Sequence, residues 1–168
     1  GEGTFIEQFE WRQDRGTRVI VVDRASGERV ADPVTGAVFG FHHVHAFERD
    51  GGTEVVLDVE TIPDATAITE LSLDSLRGGE LNAIAGRLER FVIDLGGTGG
   101  TRTARYEAGD ATVSREMLYD DGTALPTVSP AQWCRPHRYV YAMSMEQPAT
   151  EWATGVLKYD TGTGGVAE

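Results

Sequence analysis

Along most of the chain apolar and polar positions alternate with a period near two, the mark of strands whose two faces differ in burial. Residues 18–23 (RVIVVD) form a β-branched run closed by the turn-forming residues 25–28 (ASGE), after which Arg29 and Val30 resume it, and this predicts a hairpin. The clearest local signal follows. Residues 37–48 (AVFGFHHVHAFE) and 53–61 (TEVVLDVET) flank the loop Arg49-Asp50-Gly51-Gly52, which predicts two long strands around a Gly-Gly turn. Residues 68–76 (ITELSLDSL) space their leucines as a short helix or a leucine-packed loop does. Short strands are then expected at 87–95, 103–107, 112–118, 138–145 and 155–160, separated by Gly- or Pro-containing connections. Serial hairpins without intervening helices predict an all-β meander: a sandwich, a barrel or part of a propeller.

Composition narrows the partners. The 168 residues suffice for one ordinary domain, and 27 acidic against 15 basic residues give a net charge of −12. Such a surface repels phosphate backbones, so no nucleic-acid partner is expected. Lys158 is the only lysine, a bias that fits a high-salt proteome or a GC-rich genome. Cys134 is the only cysteine, which excludes an internal disulfide, a cysteine-based zinc site and an iron–sulfur cluster, and points to a reducing cytoplasm. No apolar run approaches membrane-spanning length, and the chain opens on Gly1 without a leader, as an internal piece of a longer protein does.

Histidine is the unusual feature. Three of four sit at 42, 43 and 45, and the fourth is His137. Strict strand alternation puts His42, Val44, Ala46 and Glu48 on one face and Phe41, His43, His45 and Phe47 on the other. Spacing alone favours His43 and His45 as a metal-binding pair, since imidazole suits iron, zinc and copper, whereas single strand histidines are mostly structural. No GxSxG elbow is present, and acidic pairs such as Asp58 and Glu60 read as part of a solvated face in so acidic a chain. Trp11, Trp133 and Trp152 read as packing residues, and Cys134 as an inert small hydrophobe. The glycine-rich stretches at 96–100 and 162–165 read as flexible turns.

At residues 39–48 (FGFHHVHAFE), followed by EVVLDV at 54–59, the sequence resembles the carotenoid cleavage oxygenases, the family of carotenoid, apocarotenoid and stilbene dioxygenases and of the retinoid isomerase. The likeness continues in residues 5–11 (FIEQFEW), 15–18 (RGTR), 125–130 (LPTVSP), 135–142 (RPHRYVYA) and 156–160 (VLKYD), so it covers nearly the whole chain in order. It implies a seven-bladed β-propeller with Fe(II) on its axis, held by four histidines, that uses dioxygen to cleave a conjugated carbon–carbon double bond into carbonyl products. His42 is the residue that matches a ligand of that family. The other three ligands belong to segments before Gly1 and after Glu168, and a carboxylate from a Glu-Pro motif beyond Glu168 is expected to hold the His42 ring. His45 stands where the family has Asn, and Met143-Ser144 where Gly is usual.

At roughly 40–45 residues per blade, residues 1–168 are expected to be a single partial domain of about two to three blades of antiparallel strands with short helical or loop insertions. The expected partners are a hydrophobic polyene or stilbene and dioxygen, reached through an apolar tunnel that the loop at 62–68 helps to line. Location in the cytoplasm is expected, with peripheral membrane contact allowed for the full-length protein. Alone, the fragment is expected to be inactive. Two rival readings stay open: a non-catalytic β-propeller interaction module with structural histidines, and a zinc hydrolase built on His43 and His45.

Overall fold

The computed structural model describes residues 6–78, 85–96, 111–145, 153 and 155–167. Four short strands come first: β1 (Thr17–Arg18), β2 (Val21–Val22), β3 (Arg29–Ala31) and β4 (Val34–Thr35). The predicted hairpin is the antiparallel β2–β3 pair, while β1 breaks away from β2 to pair with β4. Seven further strands then form one antiparallel sheet in chain order: β5 (Phe39–Arg49), β6 (Glu54–Ile62), β7 (Gly86–Asp94), β8 (Thr112–Thr127), β9 (Tyr139–Ser144), β10 (Gly155–Asp160) and β11 (Val166–Ala167). Between β5 and β6 the chain reverses through Asp50, Gly51 and Gly52, all at positive φ, which two glycines and an aspartate tolerate and bulkier residues do not. The region at 68–76 holds two short helices, α1 (Thr66–Glu70) and α2 (Leu73–Gly78).

The strand expected at 112–118 continues to Thr127. Gly122 and Leu125 at positive φ bend the strand without ending it. β8 pairs with β7 from Asp94 opposite Thr112 to Gly86 opposite Thr123. Its second half pairs with β9, where Thr123 lies opposite Ser144. β8 therefore closes one four-stranded unit, β5 to β8, and opens the next, β8 to β11. This is the build of two successive propeller blades, and the all-β propeller expectation holds. The strand expected at 103–107, the turn residues 97–100 and Trp152 lie outside the described residues.

Both faces of the first unit are covered. On one, Phe91, Ile93 and Leu95 pack with Ala31 and with Val19, Val21 and Val38 from the segment that carries the short strands. On the other, Val44 and Leu88 pack with Val128, Val140 and Tyr159 of the second unit. His42, His45, Asp58 and Glu60 lie on this second face, whereas buried Thr61 and Glu89 lie on the first, Thr61 Oγ1 donating to Glu89 Oε1.

Candidate functional site

β5 departs from strict alternation, and this decides where each histidine goes. His42 lies opposite Glu60 and His43 opposite Val59, but His45 lies opposite Asp58, so Val44 is an extra residue bulged out of the ladder. Glu60 and Asp58 share a face of β6, and Val59 lies on the other. The bulge thus puts His42 and His45 on one face and His43 alone on the opposite one, which overturns the pairing of His43 with His45. Exposure agrees: His43 is exposed, His42 half-buried, and Val44 and His45 are consecutive yet both buried.

His45 is committed to structure. Its Nε2 donates to the carbonyl of Arg135 at 2.9 Å, and its ring stacks on Phe47 at 5.8 Å. Edge-on to it, 5.0 Å away, stands His137, whose side chain is only 1% exposed. His137 brings Nε2 to 3.1 Å from Asp58 Oδ2, but out of line with the ring N–H, so neither ring nitrogen has an aligned hydrogen-bond partner among the described residues. Arg90 supplies what the aspartate needs: Nε donates to Oδ1 at 2.8 Å and Nη2 to Oδ2 at 2.9 Å. Burial pushes the Asp58 carboxyl up, and the paired bonds from Arg90 together with the closeness of the His137 ring outweigh it, so the group is held below its ordinary range.

Glu60 is the residue the solvated-face reading misplaces most. It is 7% exposed, and burial pushes its carboxyl up to about 7, opposed by a hydrogen bond from the Leu125 amide. Its Oε2 is buried without a hydrogen-bond partner among the described residues. The side chain fits only because position 86 is glycine: a Cβ there would lie 2.3 Å from Glu60 Cγ and 2.6 Å from its Oε1. The sequence did hold a signal for both acids. Asp58 and Glu60 are two apart within an apolar run, and an inward-facing acid demands a partner such as Arg90 in the strand RLERFVID.

Around His42 the surroundings are aromatic. Trp11 stands edge-on to Phe39 at 6.2 Å, Phe39 to Phe41 at 4.9 Å, and Phe41 lies 6.3 Å from the His42 ring. Phe9, Trp11 and Phe39 also wall a cavity of about 550 Å³ with Ala65, Ile68 and Thr69, from the loop after β6 and α1. Trp133 and Cys134, read as packing residues, are exposed instead, on the turn that follows Pro130–Gln132. The sequence could not show this, because the turn depends on Cys134 adopting positive φ.

Among the described residues no three His, Cys, Asp and Glu side chains gather to hold a metal ion. What the chain offers is one half-buried imidazole facing an orphaned buried carboxyl, and that donor set fits a single ligand to a metal shared with other segments.

The family model for retinal pigment epithelial membrane protein matches residues 1–167. The carotenoid isomerooxygenase of Galleria mellonella is 27% identical over 162 residues, covering 93% of this chain and 29% of its own length. The apocarotenoid-15,15'-oxygenase of Synechocystis is 31% identical over 138 residues, or 80% of this chain and 24% of that protein. A solved structure of a point mutant of the Synechocystis enzyme superimposes with a TM-score of 0.66 at 26% identity, covering 94% of this chain and 30% of that one. Its cobalt-substituted form gives a TM-score of 0.63 at 28% identity, with coverage of 94% and 30%. The chain thus spans between about a quarter and a third of the length of these relatives. With its sequence matched nearly end to end by the family model, the chain belongs to the retinal pigment epithelial membrane protein family.

Proposed function

We propose that the chain is an internal fragment of a non-haem iron(II) dioxygenase that cleaves a conjugated double bond of a carotenoid or apocarotenoid to carbonyl products, and that His42 is one of four histidine ligands. The observation that carries this reading is the position of His42: a half-buried imidazole on β5, free of side-chain hydrogen bonds among the described residues, opposite a buried carboxyl. When bound, Fe(II) supplies the binding and activation of dioxygen. The chain's own residues hold and shield. His42 presents a ring nitrogen, the β5 bulges fix the direction of that ring, and Phe41 packs 6.3 Å from it with Phe39 edge-on behind. A polyene offers few hydrogen-bonding groups, so shape and dispersion must position it, and the wall made by Phe9, Trp11, Phe39 and Ile68 has that character. Dioxygen is the second substrate. Peripheral membrane contact and a cytoplasmic location accompany this reading as further proposals for the full-length protein.

The test is iron content with oxygen-dependent carotenoid bleaching on the full-length protein. His42→Ala should lose both, while His43→Ala, on the opposite face, should keep both. Iron retained by His42→Ala would overturn the assignment. Loss on His43→Ala with retention on His42→Ala would favour a site on the other face of β5.

A further inference from the structure

We propose that Glu60 is the residue that positions the His42 imidazole for its metal, a task the family resemblance assigns to a carboxylate beyond Glu168. This inference rests on His42 being a ligand.

A metal-bound imidazole needs its second nitrogen anchored, because that hydrogen bond fixes the tautomer, the ring plane and the basicity of the coordinating nitrogen. Glu60 lies directly opposite His42 in the β5–β6 ladder, on the same face, and directly opposed Cβ atoms are about 4.5–5.5 Å apart. Its carboxyl is half satisfied: the Leu125 amide donates to it, and Oε2 is buried with no hydrogen-bond partner among the described residues. An unpartnered buried carboxyl oxygen is costly unless a further donor completes it. The imidazole N–H of His42 is a donor of the right kind in the opposing residue.

Three backbone features make the room. Gly86 lacks the Cβ that would overlap the Glu60 side chain, and Gly40 lacks one that would lie 2.6 Å from the Glu60 carbonyl. Leu125 takes φ of 52°, a conformation that costs a branched side chain energy, and its N–H is the one that reaches Glu60. Leu125 belongs to the first strand of the second unit, so the carboxyl spans from the strand beside His42 to the neighbouring blade. A glycine cradle, a strained donor and an orphaned oxygen around one acid describe a built position.

The experiment uses the full-length protein and Co(II), with affinity read by chelator competition and the ligand field by the d–d bands at saturation. Glu60→Gln keeps the volume and one acceptor oxygen but cannot serve both donors. Metal affinity should fall by about 10–100-fold, and the d–d bands should shift because the bound imidazole loses its anchor, with the near-ultraviolet circular dichroism of the metal-free protein unchanged. Glu60→Met repeats the comparison if the amide disturbs folding. Wild-type affinity in both folded variants would overturn the inference, as would weakened binding with unshifted d–d bands, the result of a merely structural role. His42→Ala separates the two readings: if it retains Co(II) at wild-type affinity, the ligand assignment itself fails, whereas loss there with indifference at Glu60 removes only the positioning role.

Discussion

Asp58 shows how one side chain ties the buried row to pH. Held below its ordinary range, it stays ionised in the folded protein where the unfolded chain has begun to take up protons. The stability it lends is present above the ordinary aspartate pKa and lost as pH falls through the lower folded value. Asp58→Asn leaves Arg90 half buried without its bidentate partner, and breaking such a pair costs about 3–5 kcal/mol at neutral pH. That deficit should shrink as pH is lowered, because the wild type then loses the same charge. Urea midpoints of wild type and variant from neutral pH down to the acid limit check it, and a deficit independent of pH would remove Asp58 from the acid response. The same measurement at pH 7 separates the histidines on β5. His45→Ala removes a buried ring and its hydrogen bond to the Arg135 carbonyl and should cost about 1–3 kcal/mol, while exposed His43→Ala should stay within roughly 0.5 kcal/mol.

At the level of elements, the long strands around Gly51-Gly52, the β2–β3 hairpin and the strands at 87–95, 138–145 and 155–160 were legible, because each carries a run of β-formers bounded by turn residues. The face of each histidine was not. Counting alternation assumes an unbroken ladder, and one bulged residue, Val44, reverses every assignment after it. The buried acids were missed for another reason: composition describes a surface on average, while Asp58 and Glu60 are placed by partners distant in sequence, Arg90, His137 and Leu125. His42 itself became legible through the family likeness; parity had offered it only as one of two faces. The close approach of β6 and β7 gives this level its own test. Gly86→Ala puts a methyl group into the Glu60 side chain and should destabilise by about 1–3 kcal/mol. Glu60→Ala vacates that space, so the double variant should be more stable than the sum of the two singles predicts, by an interaction energy of about 1 kcal/mol or more. Strict additivity in such a cycle would show that the two residues do not compete for the same volume.

Across the whole molecule, two opposed forces set how the 168-residue chain behaves by itself. Ile20, Val22 and Val34 in the segment of short strands, and Phe9 and Phe41, are more than half exposed, and an apolar groove of about 800 Å³ is lined by Val19, Val21, Val38, Leu57, Phe91 and Ile93. In a closed propeller such surfaces face neighbouring blades; in the isolated chain they face water. The outer edges add to this, since among the described residues β5 and β11 are the edge strands of the seven-stranded sheet. Against association stands the net charge of −12, which makes copies repel one another. Salt shifts that balance in one direction. Raising ionic strength from about 0.01 M to about 1 M shortens the screening length from about 30 Å to about 3 Å, removing the repulsion while leaving apolar burial intact. The isolated chain should therefore scatter light near its 18.2 kDa monomer mass in dilute buffer and grow steadily in mass as sodium chloride is added. On the proposed reading of the chain as a fragment, a longer protein whose further blades cover these faces should show no such salt-driven growth. An isolated chain that stays monomeric at 1 M salt would mean that its exposed apolar faces are too small or too divided to drive association, and that the two blades are self-sufficient.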